Sequence, residues 1–488
     1  MEVANRVQLI TYPDSLGGDL ATLASVLDEE FPGLFCGGVH LLPPFPSSGD
    51  RGFAPTTYDE IEPRFGSWAD VRALGERGPL LIDLMVNHIS ARSPQFADFL
   101  ARGRASAWAD LFIGLDKVWP GEPDPADLAR IFLRRERPWS MFPVGDPPTP
   151  TRVWTTFGKT DPSEQVDLDW RSPCFCALVE GHLARFAANG VRIVRLDAVG
   201  YLAKRAGTSC FMLQPETEEI LAWLDGLAAR YDIALLPEVH ARPEVARTLT
   251  ARGSWAYDFI LPYRVLEAFI LRTPDRLAAH LAARPARQFT MLDCHDGIPV
   301  KPDLDGQYDA TDARAVVEAC LARGGNLSRV VAAEHQDADG FDVHQIRGTI
   351  HSLLGADDDA TVAARAIQLF APGVPQVYYT GLLAGENDQA AADMTGDGRD
   401  INRHNFTREE IRAARRRPLV GRLERLIRLR NSHPAFDGQF ATCLTEAGRI
   451  RLAWTALDQA VAVEVDVRSP RATVELADAR KGRERFAL

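Results

Sequence analysis

Three short apolar runs of this chain end in acidic side chains. The run Val191-Arg-Ile-Val-Arg-Leu-Asp197 carries Arg195 and Asp197 two residues apart, so on a strand both lie on the same face. Ala234-Leu-Leu-Pro-Glu238 ends in Glu238, with His240 two residues on. Phe289-Thr-Met-Leu-Asp-Cys-His-Asp296 ends in Asp293, His295 and Asp296. A lone Arg-x-Asp reads first as a structural ion pair, because burying a charge without a partner is costly. Carboxylates at three such ends point instead to one pocket lined with acidic groups, where one carboxyl can attack and another can donate a proton. A further apolar run, residues 80–86, delivers Asn87 and His88. The loop Pro46-Ser-Ser-Gly-Asp-Arg-Gly-Phe-Ala-Pro55, rich in turn formers, offers Asp50 and Phe53 as exposed candidates.

Such side chains need elements that bring strand ends together. The β-branched opening of the 191–197 run lies between the turn signal Asn189-Gly190 and Gly200, and reads as a buried strand of a parallel sheet. Further strands are expected over residues 7–11, 39–42, 80–86, 257–261 and 374–379. Helices are expected near 19–27, 215–230, 360–369 and 419–431. Strand followed by helix, repeated, with the reactive groups at strand ends, is the pattern of a (β/α)8 TIM barrel. The barrel takes residues 1–88, 166–297 and 357–436. Between them the alternation lapses over 89–165, which holds many prolines and Trp108, Trp119, Trp139 and Trp154, and reads as an irregular inserted domain after strand three. Residues 298–356 read as a second insertion, after strand seven, and 437–488 as a small C-terminal β domain.

Composition narrows the function. A chain of 488 residues with 46% hydrophobic and 25% charged residues is an ordinary soluble globular protein, large enough for a barrel with additions. Its net charge of −12 (55 basic against 67 acidic residues) argues against nucleic acid or an anionic membrane as partner, so any phosphate must meet a local positive cluster. The seven cysteines lack metal-ligand spacing. No basic segment with an apolar core opens the chain and no run reaches membrane length, so a cytoplasmic protein is expected.

The set Asp83-Leu-Met-Val-Asn-His88, Arg195-Leu-Asp197, Glu238 and His295-Asp296 resembles the four signature regions of the α-amylase superfamily. Gly207-Thr-Ser-Cys-Phe-Met212, Leu292-Asp-Cys-His-Asp-Gly-Ile298, Pro372-Gly-Val-Pro-Gln-Val-Tyr-Tyr379 and Gly398-Arg-Asp-Ile-Asn-Arg-His404 are similar to its sucrose phosphorylase branch, over nearly the whole chain. The resemblance implies the barrel with its insertions after strands three and seven. It gives Asp197 the role of nucleophile, Glu238 of general acid/base and Asp296 of transition-state stabiliser. The chemistry agrees, since retaining glycosyl transfer uses two carboxyl groups about 5–5.5 Å apart. Arg195 is expected to keep Asp197 ionised, and the apolar neighbours of Glu238 to favour its acid form. By resemblance, Asp50, Phe53, His88, Phe157, Arg195, His295 and Arg399 hold a single glucosyl unit, with Asp50 and Arg399 closing its far side.

The other half of the pocket departs from plain sucrose phosphorylases. Gly340-Phe-Asp-Val-His-Gln-Ile346 keeps Asp342 and Gln345 but has His344 where those enzymes carry tyrosine. Phe132-Leu-Arg-Arg-Glu-Arg-Pro138 has Arg134 where they typically carry proline. Arginine offers a planar fork of donors for phosphate, and a histidine can add a donor. The pattern is similar to that of sucrose 6'-phosphate phosphorylases, with Arg134, Arg135, His240, Asp342, His344 and Gln345 as the acceptor and phosphate site. The expected substrates are sucrose 6'-phosphate and inorganic phosphate, with no metal and no organic cofactor, in a monomer or homodimer. Sucrose, glucosylglycerate or glucosylglycerol are the rival donors, and an inactive amylase-like binding subunit is the reading from another class.

Overall fold

The computed structural model describes residues 3–331, 340–480 and 482–488. Eight parallel strands form a nearly closed barrel: β1 (Gln8–Thr11), β2 (Gly38–Leu41), β3 (Leu80–Met85), β4 (Val191–Asp197), β5 (Ala234–Pro237), β6 (Ala256–Asp258), β7 (Gln288–Thr290) and β8 (Val374–Tyr378). Strands β1, β2, β3 and β8 are buried along their whole length, as a sheet covered on both faces requires. The chain packs as two compact units.

One unit comprises Leu41–Val239 and Val330–Asp342. In it β4 pairs in parallel with β3, setting Asp83 opposite Arg195 and Met85 opposite Asp197. On its other side β4 pairs with β5, with Arg195 opposite Leu236. The helix Pro173–Ala188 precedes β4. Ser172 accepts the Cys174 N–H and Pro173 opens the first turn, a strong start signal. Its buried residues Phe175, Val179, Leu183 and Phe186 recur at helical spacing and form the face turned to the core. Residues 89–165 are not irregular. They hold the helices Pro94–Arg102 and Pro125–Arg130 and an antiparallel pair, Trp139–Val144 with Thr149–Trp154. Aromatic packing does the work of longer elements here: Phe96 meets Phe112 and Phe142 edge-on, and Trp119 stacks on Trp154 at 5.7 Å. Elements this short, opened or interrupted by proline, leave little periodic signal in the sequence.

The other unit comprises Val3–His40, His240–Arg329 and Val343–Leu488. In it β7 lies between β6 and β8, and β8 pairs with β1. The strand expected at 257–261 ends at Asp258. The Asp258 carboxylate accepts the N–H groups of Ile260 and Leu261 and starts the helix Leu261–Leu271. The 298–356 segment folds, in its described part here, as a three-stranded antiparallel sheet of Ile298–Pro299, Val343–Arg347 and Asn326–Arg329, with the helix Ala310–Ala322. A five-stranded antiparallel sheet, from Gln439–Leu444 to Gly482–Ala487, ends the chain, and the Trp454 indole donates to the Phe370 carbonyl at 2.7 Å. No described helix is long and apolar enough to cross a membrane.

Candidate active site

The parallel register of β3, β4 and β5 gathers the first half of the site. Arg195 is almost fully buried, and its guanidinium is shared by three carboxylates. One terminal nitrogen reaches Asp83 and, at 2.9 Å, Asp197. The other reaches Glu238 at 2.7 Å. Asp83 is fully buried, so this cation is what permits its charge. The backbone turns left-handed at Ala198, directly after Asp197, and the Ala198 N–H donates to Glu238 at 2.9 Å. The apolar surrounding expected for Glu238 is therefore not what the structure holds: its carboxylate is engaged by a guanidinium and a backbone N–H. The reason is that Arg195 arrives from the adjacent, paired strand and brings its guanidinium onto Glu238.

Phe53, expected to be exposed, is buried, and the Arg195 guanidinium lies over its ring at 5.7 Å. A ring face there gives the cation a favourable apolar wall. The Phe53 carbonyl takes the His88 Nε2–H at 3.0 Å, and burial lowers the His88 pKa, so the ring is held neutral. Phe157 packs on His88 at 5.4 Å and on Tyr201 at 5.1 Å. Asp50 is in a left-handed conformation with its carboxylate 3.9 Å from Lys159.

Two residues behind this half gave no sequence signal. Tyr58 is buried and its hydroxyl accepts the Met85 N–H at 2.8 Å, at the residue paired with Asp197. Burial pushes its pKa well above the usual value, so it stays a neutral prop for the strand. The Lys204 ammonium is buried in an oxygen cage made by Asp167 (2.8 Å), Asn87 (3.2 Å), Thr156 (3.3 Å) and the Tyr201 carbonyl. Asp167 also takes the Thr156 N–H and the Asn87 amide. That network ties the end of β3, next to His88, to the inserted segment. Among the described residues, no group of His, Cys, Asp and Glu side chains is placed to hold a metal ion.

The arginine run divides by partner. Arg135 donates to Ser140, Thr155 and the Phe157 and Thr160 carbonyls, a structural commitment that burial accompanies by lowering its pKa. Arg137 is exposed and paired with Asp161 at 2.7 Å. Arg134 has no carboxylate or hydrogen-bond partner among the described residues. Its guanidinium lies 5.8 Å from the Phe157 ring centre and lines a small pocket with Phe132, Trp154, Thr156, Tyr201 and Cys210. Asp342, half-buried, belongs to the same unit and accepts the Val330 N–H through its carbonyl.

The other unit holds the remaining candidates. Asp296 follows β7 and its carboxylate is 3.2 Å from Arg399, 3.9 Å from Arg403 and 3.6 Å from His295. Asn402 clamps the loop through the Cys294 and Asp296 carbonyls, and Arg403 donates to the His295 carbonyl. Gly297 and Gly398 leave no room for a Cβ against the Arg347 side chain, so Arg347 is wedged between the Asp296 and Arg399 loops. Burial, and then Arg399, lower its pKa. Asp293 belongs elsewhere: it is buried against Arg365 at 3.1 Å. His344 and Gln345 are buried on the strand Val343–Arg347. The His344 Nδ1–H donates to the Lys301 carbonyl at 2.6 Å, and His240 Nδ1 is 3.2 Å from Asp303. The two imidazole rings meet edge-on at 6.3 Å.

Comparison with known proteins adds the lineage. Residues 11–266 match the alpha amylase catalytic domain. The chain is 52% identical to the sucrose 6(F)-phosphate phosphorylase of Thermoanaerobacterium thermosaccharolyticum over 97% of both chains. It is 38% identical to the glucosylglycerol phosphorylase of Marinobacter adhaerens over 99% of both. Among solved structures, the crystal structure of sucrose 6F-phosphate phosphorylase from Thermoanaerobacter thermosaccharolyticum matches with a TM-score of 0.98 at 50% identity. That match covers 100% of this chain and 99% of the other.

Proposed function

The chain belongs to the α-amylase family, among its glycoside phosphorylases, and on that premise we propose that it cleaves sucrose 6'-phosphate with inorganic phosphate. The products are α-D-glucose 1-phosphate and D-fructose 6-phosphate, and the reaction is reversible. Asp197 attacks the anomeric carbon and forms a covalent glucosyl-enzyme while Glu238 protonates the departing fructosyl oxygen. Phosphate then attacks the glucosyl carbon as Glu238 takes its proton, so two inversions give retention. One guanidinium bonding both Asp197 and Glu238 is compatible with the short carboxylate separation that retaining chemistry uses. On this reading the Arg195–Glu238 contact is exchanged for the leaving oxygen when sugar binds. Asp296, held by Arg399, meets the developing positive charge of the sugar. His88, Phe157 and His295 line the glucosyl ring, with Asp50 and Arg399 beyond it.

The observation that carries the choice of donor is Arg134. Of the three arginines in the run it is the one no described carboxylate neutralises, and a guanidinium left over an aromatic ring suits a phosphate monoester. His344 is the second proposed contact. Its Nδ1–H is committed to a carbonyl, so Nε2 meets the ligand, and it donates to phosphate only when the ring is protonated. Gln345, Asp342 and His240 complete the acceptor end, while Arg135 supports the loop. The test is a phosphorolysis panel of sucrose, sucrose 6'-phosphate, glucosylglycerate and glucosylglycerol. A highest catalytic efficiency on sucrose 6'-phosphate is the expected result. Preference for any of the other three overturns the assignment, and no sugar phosphate from any donor would restore the inactive-subunit reading.

A further inference from the structure

The segment that follows Ile298–Pro299 holds two imidazoles at once. The Lys301 carbonyl accepts the His344 Nδ1–H, and the Val300 N–H returns to the His344 carbonyl at 2.9 Å. Two residues on, the Asp303 carboxylate, 1% exposed, takes His240 Nδ1 at 3.2 Å. The plane of the His240 ring is set separately. It stacks on Phe259 at 4.1 Å and 21°, and Phe259 stacks in turn on Tyr257 at 4.9 Å. Stacking leaves a ring free to turn within its own plane, and an acceptor at Nδ1 removes that freedom. It also fixes the tautomer, because an ionised carboxylate can only accept: Nδ1 carries the proton and Nε2 is the acceptor nitrogen of the ring. Sequence spacing assigns Asp303 no role.

We propose that Asp303 is a positioning residue for the acceptor end of the site, acting through His240. It orients the His240 ring on the Phe259 platform with Nε2 toward the acceptor moiety of the donor sugar. The inference rests on the proposed function only for the identity of that acceptor, D-fructose 6-phosphate. A carboxylate that merely held the fold together would affect both half-sites alike. One that acts through His240 has no effect once His240 is gone.

The experiment is a double-mutant cycle of Asp303→Ala and His240→Ala, read as kcat and KM for sucrose 6'-phosphate with melting temperatures alongside. Asp303→Ala is expected to raise KM about tenfold, the worth of one charge-assisted hydrogen bond, with a much smaller change in kcat. In the His240→Ala background it is expected to change KM by less than twofold. Asp303→Asn keeps an oxygen that accepts from Nδ1–H and is expected to recover most of the lost affinity; being nearly isosteric, it tests the idea even if the alanine variant folds poorly. Equal KM effects of Asp303→Ala with and without His240 would overturn the proposal, as would an Asp303→Asn that folds but binds no better than the alanine variant. Should wild type prefer another donor, the sucrose 6'-phosphate assignment falls, while the same cycle run on that donor still decides the role of Asp303.

Discussion

The three arginines of the 134–137 run give one perturbation with three different expected outcomes. Arg134→Ala removes a half-buried guanidinium that faces a ring and breaks no ion pair or hydrogen bond among the described residues. Its effect on stability is expected within about 0.5 kcal/mol, the range of a surface substitution. A charge-assisted bond to a partly desolvated phosphate is worth about 1.5–3 kcal/mol, or roughly 10- to 150-fold in catalytic efficiency. That factor should fall on sucrose 6'-phosphate and spare sucrose. Arg135→Ala instead removes donors to Ser140, Thr155 and two carbonyls, leaving buried oxygens without them. It is expected to cost about 2–4 kcal/mol of stability, and to lower both activities by the same factor. Arg137→Ala loses one exposed pair with Asp161, worth at most about 1 kcal/mol, and is expected to change neither readout. The assay is kcat/KM on both sugars and a melting temperature for each variant. The reasoning is refuted if Arg134→Ala leaves the ratio of the two efficiencies unchanged, or if Arg137→Ala shifts it as far.

Asp197→Asn should lower activity by orders of magnitude with the fold intact, and a glucosyl adduct trapped on any other residue would defeat the assignment. Glu238→Gln should be partly rescued by donors whose leaving group needs no protonation, so equal loss on all donors would sink the acid role. Lys204→Met strips the counter-charge from a cage containing the fully buried Asp167 and is expected to cost about 3–5 kcal/mol, seen as a lower melting temperature; an unchanged one contradicts the reading of that network. Burial lowers the His182 pKa to about 4 in the folded chain, against about 6.5 when unfolded. Below 6.5 the unfolded state binds a proton the folded state refuses, so this contribution is complete above 6.5 and is lost as pH falls toward 4, by up to about 3 kcal/mol. The stability of wild type relative to His182→Gln should therefore fall on acidification over that window, and parallel curves would exclude the effect.

The inserted segment shows where local patterning stops being informative. The barrel strands and the longer helices announce themselves because apolar residues repeat at periods fixed by backbone geometry, and residues 20–29, 216–229 and 418–432 are helical close to where that periodicity ends. Residues 94–154 form helices and a hairpin too short and too proline-rich to display a period. They are held by aromatic contacts between residues far apart in the chain, such as Phe96 with Phe142.

By itself the sequence determined the barrel, the C-terminal sheet, the lineage and the carboxylates at strand ends, since each is written in contiguous residues of fixed spacing. Asp197 and Arg195 could be paired from their two-residue interval alone. That Arg195 also carries Asp83, 112 positions away, and Glu238 was decided by the parallel register of three strands. The folded loops likewise made Phe53 a buried wall against Arg195 and paired the buried Asp293 with Arg365. The duties within Arg134, Arg135 and Arg137 were not legible either, because adjacent arginines look alike until their partners are known. Lys204 and Asp303 were silent for the same reason: what an ammonium or a carboxylate does depends on the atoms that close around it. One of those around Lys204 is the backbone carbonyl of Tyr201, a group that every residue has and no sequence pattern marks. Periodicity is local and survives in the sequence; hydrogen-bond partnership is a property of the folded chain and has to be read there.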